Sequence, residues 1–105
     1  MNETEFNALA DETLSRIEVA LDRCGVDLDC SQVGDGVLEI ETDGGGKIIV
    51  NRHAANREIW VAARSGGFHF QWSGGAWLDS RGQGELMAVL SLLVSEATGE
   101  RISLG

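Results

Sequence analysis

The chain has 105 residues, 43% of them hydrophobic, and a formal charge of −9 from 17 acidic and 8 basic side chains. That length suits one domain, 1–105, with one moderate core. No run of eighteen apolar residues occurs, so no membrane partner is expected, and the negative charge repels phosphate backbones, which argues against nucleic acid.

The acidic excess lies in the first 43 residues, and the remainder is close to neutral. Such a surface attracts cations and basic protein patches. The N-terminus lacks the basic and apolar regions of a signal peptide, so a cytoplasmic location is expected.

From residue 4 to 23 apolar side chains recur every three or four positions: Phe6, Ala10, Thr13, Ile17, Leu21 and Cys24. This period predicts an amphipathic helix. Asn2 or Thr4 can cap its start, and Gly25 can stop it. At about 100° per residue, Asp11, Glu18 and Asp22 share one flank with no basic partner. Glu5, Glu12, Arg16 and Arg23 take the other, where Glu12 and Arg16 make an i, i+4 pair. Asp27 and Asp29 continue the acidic flank, and their i, i+2 spacing puts both on one face of an extended segment. Cys24 and Cys30 fit neither CxxC nor a zinc pattern, so two reduced thiols are expected.

Leu28 to Ser31 reads as a short strand. Val37 to Thr42 alternates, with Leu38 and Ile40 opposite Glu39 and Glu41. DGGG (43–46) reads as a turn before KIIVN (47–51). Over 57–64, Ile59, Val61 and Ala63 oppose Glu58, Trp60 and Ala62. SGG at 65–67 and at 73–75 marks hairpin turns around FHFQW (68–72), and AWLD (76–79) follows. With Ile59 and Val61 inward, Trp60 points to solvent near Glu58, His69 and Gln71. With the register reversed it would be core. On an outer face it is a candidate interface anchor. Helical period returns over 85–98, with Leu86, Val89, Leu90, Leu93 and Ala97, before Gly99. The order predicts an α+β protein. It is a two-layer α/β sandwich, with N- and C-terminal helices on one face of a five- to seven-stranded antiparallel sheet.

Carboxylate oxygens are hard ligands that suit iron, manganese, magnesium or calcium. No His or Cys joins them convincingly, which disfavours zinc. On the residues alone, the cluster reads equally as a solubilising surface and as a weak, unselective cation site. GxSxG, P-loop and HExxH are all absent, and no motif places His53 or His69 beside a nucleophile, so no enzyme is expected.

GVLEI (36–40), KIIVNR (47–52), EIWVA (58–62), GGFHFQW (66–72) and AWLD (76–79) resemble in combination the frataxin family. With EFNALADETLSRIEVALD at the start, the resemblance is strongest to its bacterial branch. It implies a frataxin-like fold and a non-enzymatic iron-binding protein. Such a protein donates iron to iron–sulfur cluster assembly, or regulates it, by docking on the cysteine desulfurase and scaffold complex. The implied iron, Fe2+ or Fe3+, is weakly bound on an acidic ridge that also admits other divalent cations. The resemblance carries Glu18, Asp22, Asp27 and Asp29 to ridge positions. Asp43 matches a further acidic position, and Asp11 extends the flank. The family's exposed sheet tryptophan maps to Trp60, with Asn51 beside it. Partner contacts are thus expected at Glu18, Asp22, Asn51 and Trp60, from a monomer that iron can assemble into oligomers. Val19 and Arg23 stand where bacterial members often carry acids and thin the ridge, while Glu39 and Glu41 add charge from the sheet. The alternative is an acidic protein-interaction module for which iron is incidental.

Overall fold

The structure, a computed structural model, describes residues 1–44 and 46–104. The first helix, α1 (Glu3–Arg23), starts at a capping box. The Asn2 side chain accepts from the Glu5 N–H at 2.8 Å, and the Glu5 carboxylate accepts from the Asn2 N–H at 3.2 Å. Asn2, not Thr4, is therefore the cap. The helix ends at Cys24, and Gly25 follows with φ +79°, a conformation that side-chain-bearing residues rarely adopt.

Six strands follow: β1 (Leu28–Gly34), β2 (Val37–Thr42), β3 (Lys47–His53), β4 (Glu58–Ala63), β5 (Gly66–Ser73) and β6 (Ala76–Asp79). Every neighbouring pair is antiparallel, and the order across the sheet is the order in sequence. β1 is longer than Leu28–Ser31 because its ladder with β2 continues through Gln32, past an irregularity, to Gly34. The β1–β2 turn needs glycine at position 36 twice over. Its φ is +74°, and a Cβ there would lie 2.9 Å from the Arg52 Nε. Of the turn expected over 43–46, Gly45 lies outside the described residues.

The second helix, α2 (Leu86–Thr98), is capped by the Glu85 side chain, which accepts from the Met87 N–H at 2.6 Å, and ends at Gly99. Both helices pack on one face of the sheet. Phe6, Ala10, Leu14, Ile17 and Leu21 of α1 join Leu86, Leu90 and Val94 of α2 over Leu38, Ile40, Val50, Ile59, Val61 and Phe70. Alternation thus sets the inner face, as the spacing predicts. Trp77 closes the core, its indole N–H donating to the Thr13 hydroxyl at 2.9 Å. After α2 the chain turns back. The Ile102 and Leu104 N–H groups donate to the Ser95 and Ser91 hydroxyls at 2.9 and 2.8 Å, and both apolar side chains are buried. The periodicity of α2 does not announce this strap. Among the described residues, no helix is long and apolar enough to cross a membrane.

An acidic groove and a stacked sheet face

The burial of Ile17 and Leu21 turns Glu18 and Asp22, one position further on, out to solvent. β1 is the sheet edge, and it carries Asp29 and Cys30 alongside this end of α1. Glu18, Asp22, Asp29 and Cys30 line one groove, floored by Leu21 and Leu28. The Gln32 amide donates to Glu18 at 3.3 Å. Asp29 sits opposite Glu41 in the ladder. Asp27 and Asp43 flank the next pair, Leu28 and Thr42, and both are exposed. The structure thus gathers Glu18, Asp22 and Asp29 at one groove, with Asp27 and Asp43 at its sheet end.

Asp11 is different. The expectation that its flank lacks a basic partner is wrong, because β3 supplies one. The Arg52 guanidinium pairs with Asp11 and also reaches Asp35 at 2.9 Å. Helix periodicity could not reveal a cation lying 41 residues away. Among the described residues the ion pairs are these two, Lys47–Glu39 at 3.4 Å, and His69–Glu58 at 3.9 Å when the imidazole is charged. The expected Glu12–Arg16 pair is not formed, and Glu39 adds less free charge than its position suggests. Among the described residues, Glu18, Asp22, Asp27, Asp29 and Asp43 have no ion-pair partner.

Among the described residues, no three His, Cys, Asp or Glu side chains converge closely enough to cage one ion. An ion in this groove would keep much of its water, as hard cations on sparse carboxylates do. Burial, and then the charge of Glu18, push the Cys30 pKa to about 11 and keep the thiol protonated in the ion-free groove.

The opposite face of the sheet carries Asn51, Trp60 and His69 side by side in register on β3, β4 and β5. Trp60 is therefore on the outer face, and the reversed register is excluded. It is not a free surface ring, however. The His53 imidazole stacks on it at 3.8 Å between centroids and 8° from parallel. The His69 imidazole stacks at 4.4 Å and 9°. The indole N–H donates to Glu58 Oε1 at 2.7 Å, and the Gln71 amide donates to Glu58 Oε2 at 2.9 Å. Glu58 is only 8% exposed, although it belongs to the outer face. Its burial works against ionisation. The hydrogen bonds from Trp60 and Gln71, the charge of His69 and a hydrogen bond from Asn56 outweigh that, and hold the carboxyl below its ordinary value. Sequence reasoning does not find His53 and Arg52 as members of these surfaces. The strand period signals that Glu58 faces outward with Trp60, but only the pairing register brings His53 against the indole.

A frataxin-like domain profile matches residues 1–100. An iron–sulfur cluster assembly protein CyaY from Dechloromonas aromatica is 55% identical over 99% of this chain and 99% of its own. The solved frataxin from Psychromonas ingrahamii, of the CyaY family, superposes with a TM-score of 0.92 at 30% identity, covering 100% of this chain and 99% of that one. A trimeric yeast frataxin complexed with ferrous iron superposes with a TM-score of 0.68 at 26% identity, over 87% of this chain and 86% of that one. The assembly-protein names of the relatives describe no catalytic enzyme. The fold, the strand motifs and these matches agree, and the chain belongs to the frataxin family, in its bacterial CyaY branch.

Proposed function

We propose that this single domain, 1–105, binds iron weakly at Glu18, Asp22 and Asp29, helped by Asp27 and Asp43, and donates it to iron–sulfur cluster assembly or regulates that process. It does so in the cytoplasm, as a monomer that iron can assemble, by docking on the cysteine desulfurase and its scaffold protein. The observation that carries the reading is the groove where α1 meets the edge strand, whose carboxylates pair with no cation among the described residues. Relatives named for cluster assembly and the ferrous complex of yeast frataxin support it.

Iron here is cargo. Open carboxylates with few fixed ligands bind Fe2+ or Fe3+ loosely and release it readily, and other divalent cations compete. The same charge steers the chain toward a basic surface on the desulfurase. Trp60 and Asn51 supply short-range contact from the sheet. Because Glu18 and Asp22 serve both uses, iron loading and docking are coupled. Asp11, held by Arg52, is assigned to the fold and not to the ion.

The test replaces Glu18, Asp22, Asp27 and Asp29 by Gln or Asn, then measures iron affinity and desulfurase binding separately. Both should fall. Should desulfurase binding collapse while the unaltered chain binds iron no better than millimolar, the chain is an acidic interaction module and iron is incidental.

A further inference from the structure

The chain has two histidines, and both lie flat against one indole. Imidazole is the side chain whose ordinary titration falls between pH 5 and 8. The thiol that lines the acidic groove, Cys30, is far outside that range. Both faces of Trp60 thus carry an imidazole.

The other groups facing the stack are few. From β4, Glu58 is the one fixed charge, and both its oxygens already accept hydrogen bonds. From β3 the neighbour across from Trp60 is the uncharged Asn51, and from β5 the neighbour across from Glu58 is Gln71. Val37 of β2 and Leu78 of β6 border this patch and carry no charge. Lys47, on the same face further along β3, is paired with Glu39. The Nδ1 of His53 is buried without a hydrogen-bond partner. A proton added to that ring would thus be met chiefly by the indole π face, and one added to His69 by the same indole and by Glu58 at 3.9 Å.

We propose that the His53–Trp60–His69 stack makes the docking face proton-responsive: uptake of protons by the two imidazoles places positive charge on both sides of Trp60 and weakens docking of a basic partner. The proposal rests on the docking reading above and adds its regulation. The sign follows from charge. The acidic chain attracts a basic surface, and cations created at the centre of the contact oppose that surface at short range. Protonation also clamps the indole between two cations, so the ring becomes less free to adapt to a partner.

The first measurement needs no partner. The indole N–H signal of Trp60, identified with Trp60→Phe, is followed by NMR from pH 8 to 5.5 in the 15N-labelled chain. It should move with the imidazole titration and stay still in the His53→Gln/His69→Gln double variant, whose amide spectrum reports whether the fold is intact. The single variants carry the test if the double variant does not fold. The second measurement is affinity for the desulfurase with its scaffold protein at pH 7.5 and pH 6, at fixed ionic strength. The unaltered chain should lose affinity on the order of tenfold more than the double variant, as expected when like charges meet in an interface. A Trp60 signal that does not titrate, or equal losses of affinity in both proteins, overturns the proposal. Absence of docking even at pH 7.5 overturns the docking reading and this regulation of it, while the indole signal still decides whether the stack takes up protons.

Discussion

The Arg52 guanidinium on β3 is ion-paired with Asp11 on α1, and this pairing divides the acidic flank in two. The Arg52 side chain is 12% exposed, while Asp11 remains 60% exposed. Ion pairs with one wet partner contribute little, so Asp11→Asn should lower stability by about 0–1 kcal/mol. Its functional consequence is clearer. In a ferrous titration followed by NMR, amides around Glu18, Asp22 and Asp29 should broaden first. Asp11→Asn should leave iron affinity nearly unchanged, and Glu18→Gln or Asp22→Asn should reduce it. Equal losses from Asp11 and Glu18 would mean that Arg52 does not hold Asp11 back from the ion.

A second contact fixes the helix that carries the groove. The Trp77 indole N–H donates to the Thr13 hydroxyl at 2.9 Å, and that hydroxyl donates in turn to the Leu9 carbonyl at 2.8 Å. Both residues are buried, Thr13 at 5% exposure and Trp77 at 4%. Thr13→Val keeps the shape and removes the acceptor, leaving a buried N–H unpaired. The expected cost is about 1–3 kcal/mol, measured by urea unfolding. A cost near zero would show that the indole finds another acceptor or water.

The fold was legible because its signals are local. The capping residues, the 3.6 period of α1 and α2, and the two-residue period of β2 to β5 each state which side faces in. Alternation left two registers for Trp60, and the burial of Ile59 and Val61 selects the outer one. The groove was partly legible, since Glu18 and Asp22 share a helix flank and Asp29 lies just beyond. What stayed hidden depends on pairing between distant strands. Arg52 reaches Asp11 only because β3 runs beneath α1. His53 meets Trp60 only because it pairs with Glu58 in the β3–β4 ladder. The strap of Ile102 and Leu104 is fixed by serines on α2, a polar signal that an apolar stripe does not contain.

Cys30 lines the acidic groove, yet its chemistry there is suppressed. Burial, then the neighbouring Glu18 charge, push its pKa to about 11. At pH 8 it should carry about a hundredfold less thiolate than an ordinary thiol. Timed alkylation read by peptide mass spectrometry should find Cys30 slow against a glutathione standard. Glu18→Gln should speed it, because one of the two causes is then removed. Rapid labelling of Cys30 in the folded chain would contradict its burial, and would return the thiol to consideration as a ligand.

Glu58 gives the sheet face its acid sensitivity, in the direction opposite to a simple buried carboxyl. Burial alone would raise its pKa, but donors from Trp60 and Gln71, the His69 charge and Asn56 bring it below 4.5. In the unfolded chain the group titrates near that ordinary value of 4.5. As acid is added, the unfolded chain takes up this proton first, so stability falls as pH drops from 4.5 through the lower folded value. Above 4.5 the contribution is fully present. Glu58→Gln keeps one acceptor and turns the other into a donor facing the indole or the Gln71 amide. It should cost about 1.5–3 kcal/mol at pH 7, the range for hydrogen bonds to a charged group. The gap between the two proteins, read from urea midpoints, should narrow as pH falls below 4.5. A gap that stays constant into strong acid would show that Glu58 acts by shape and not by charge.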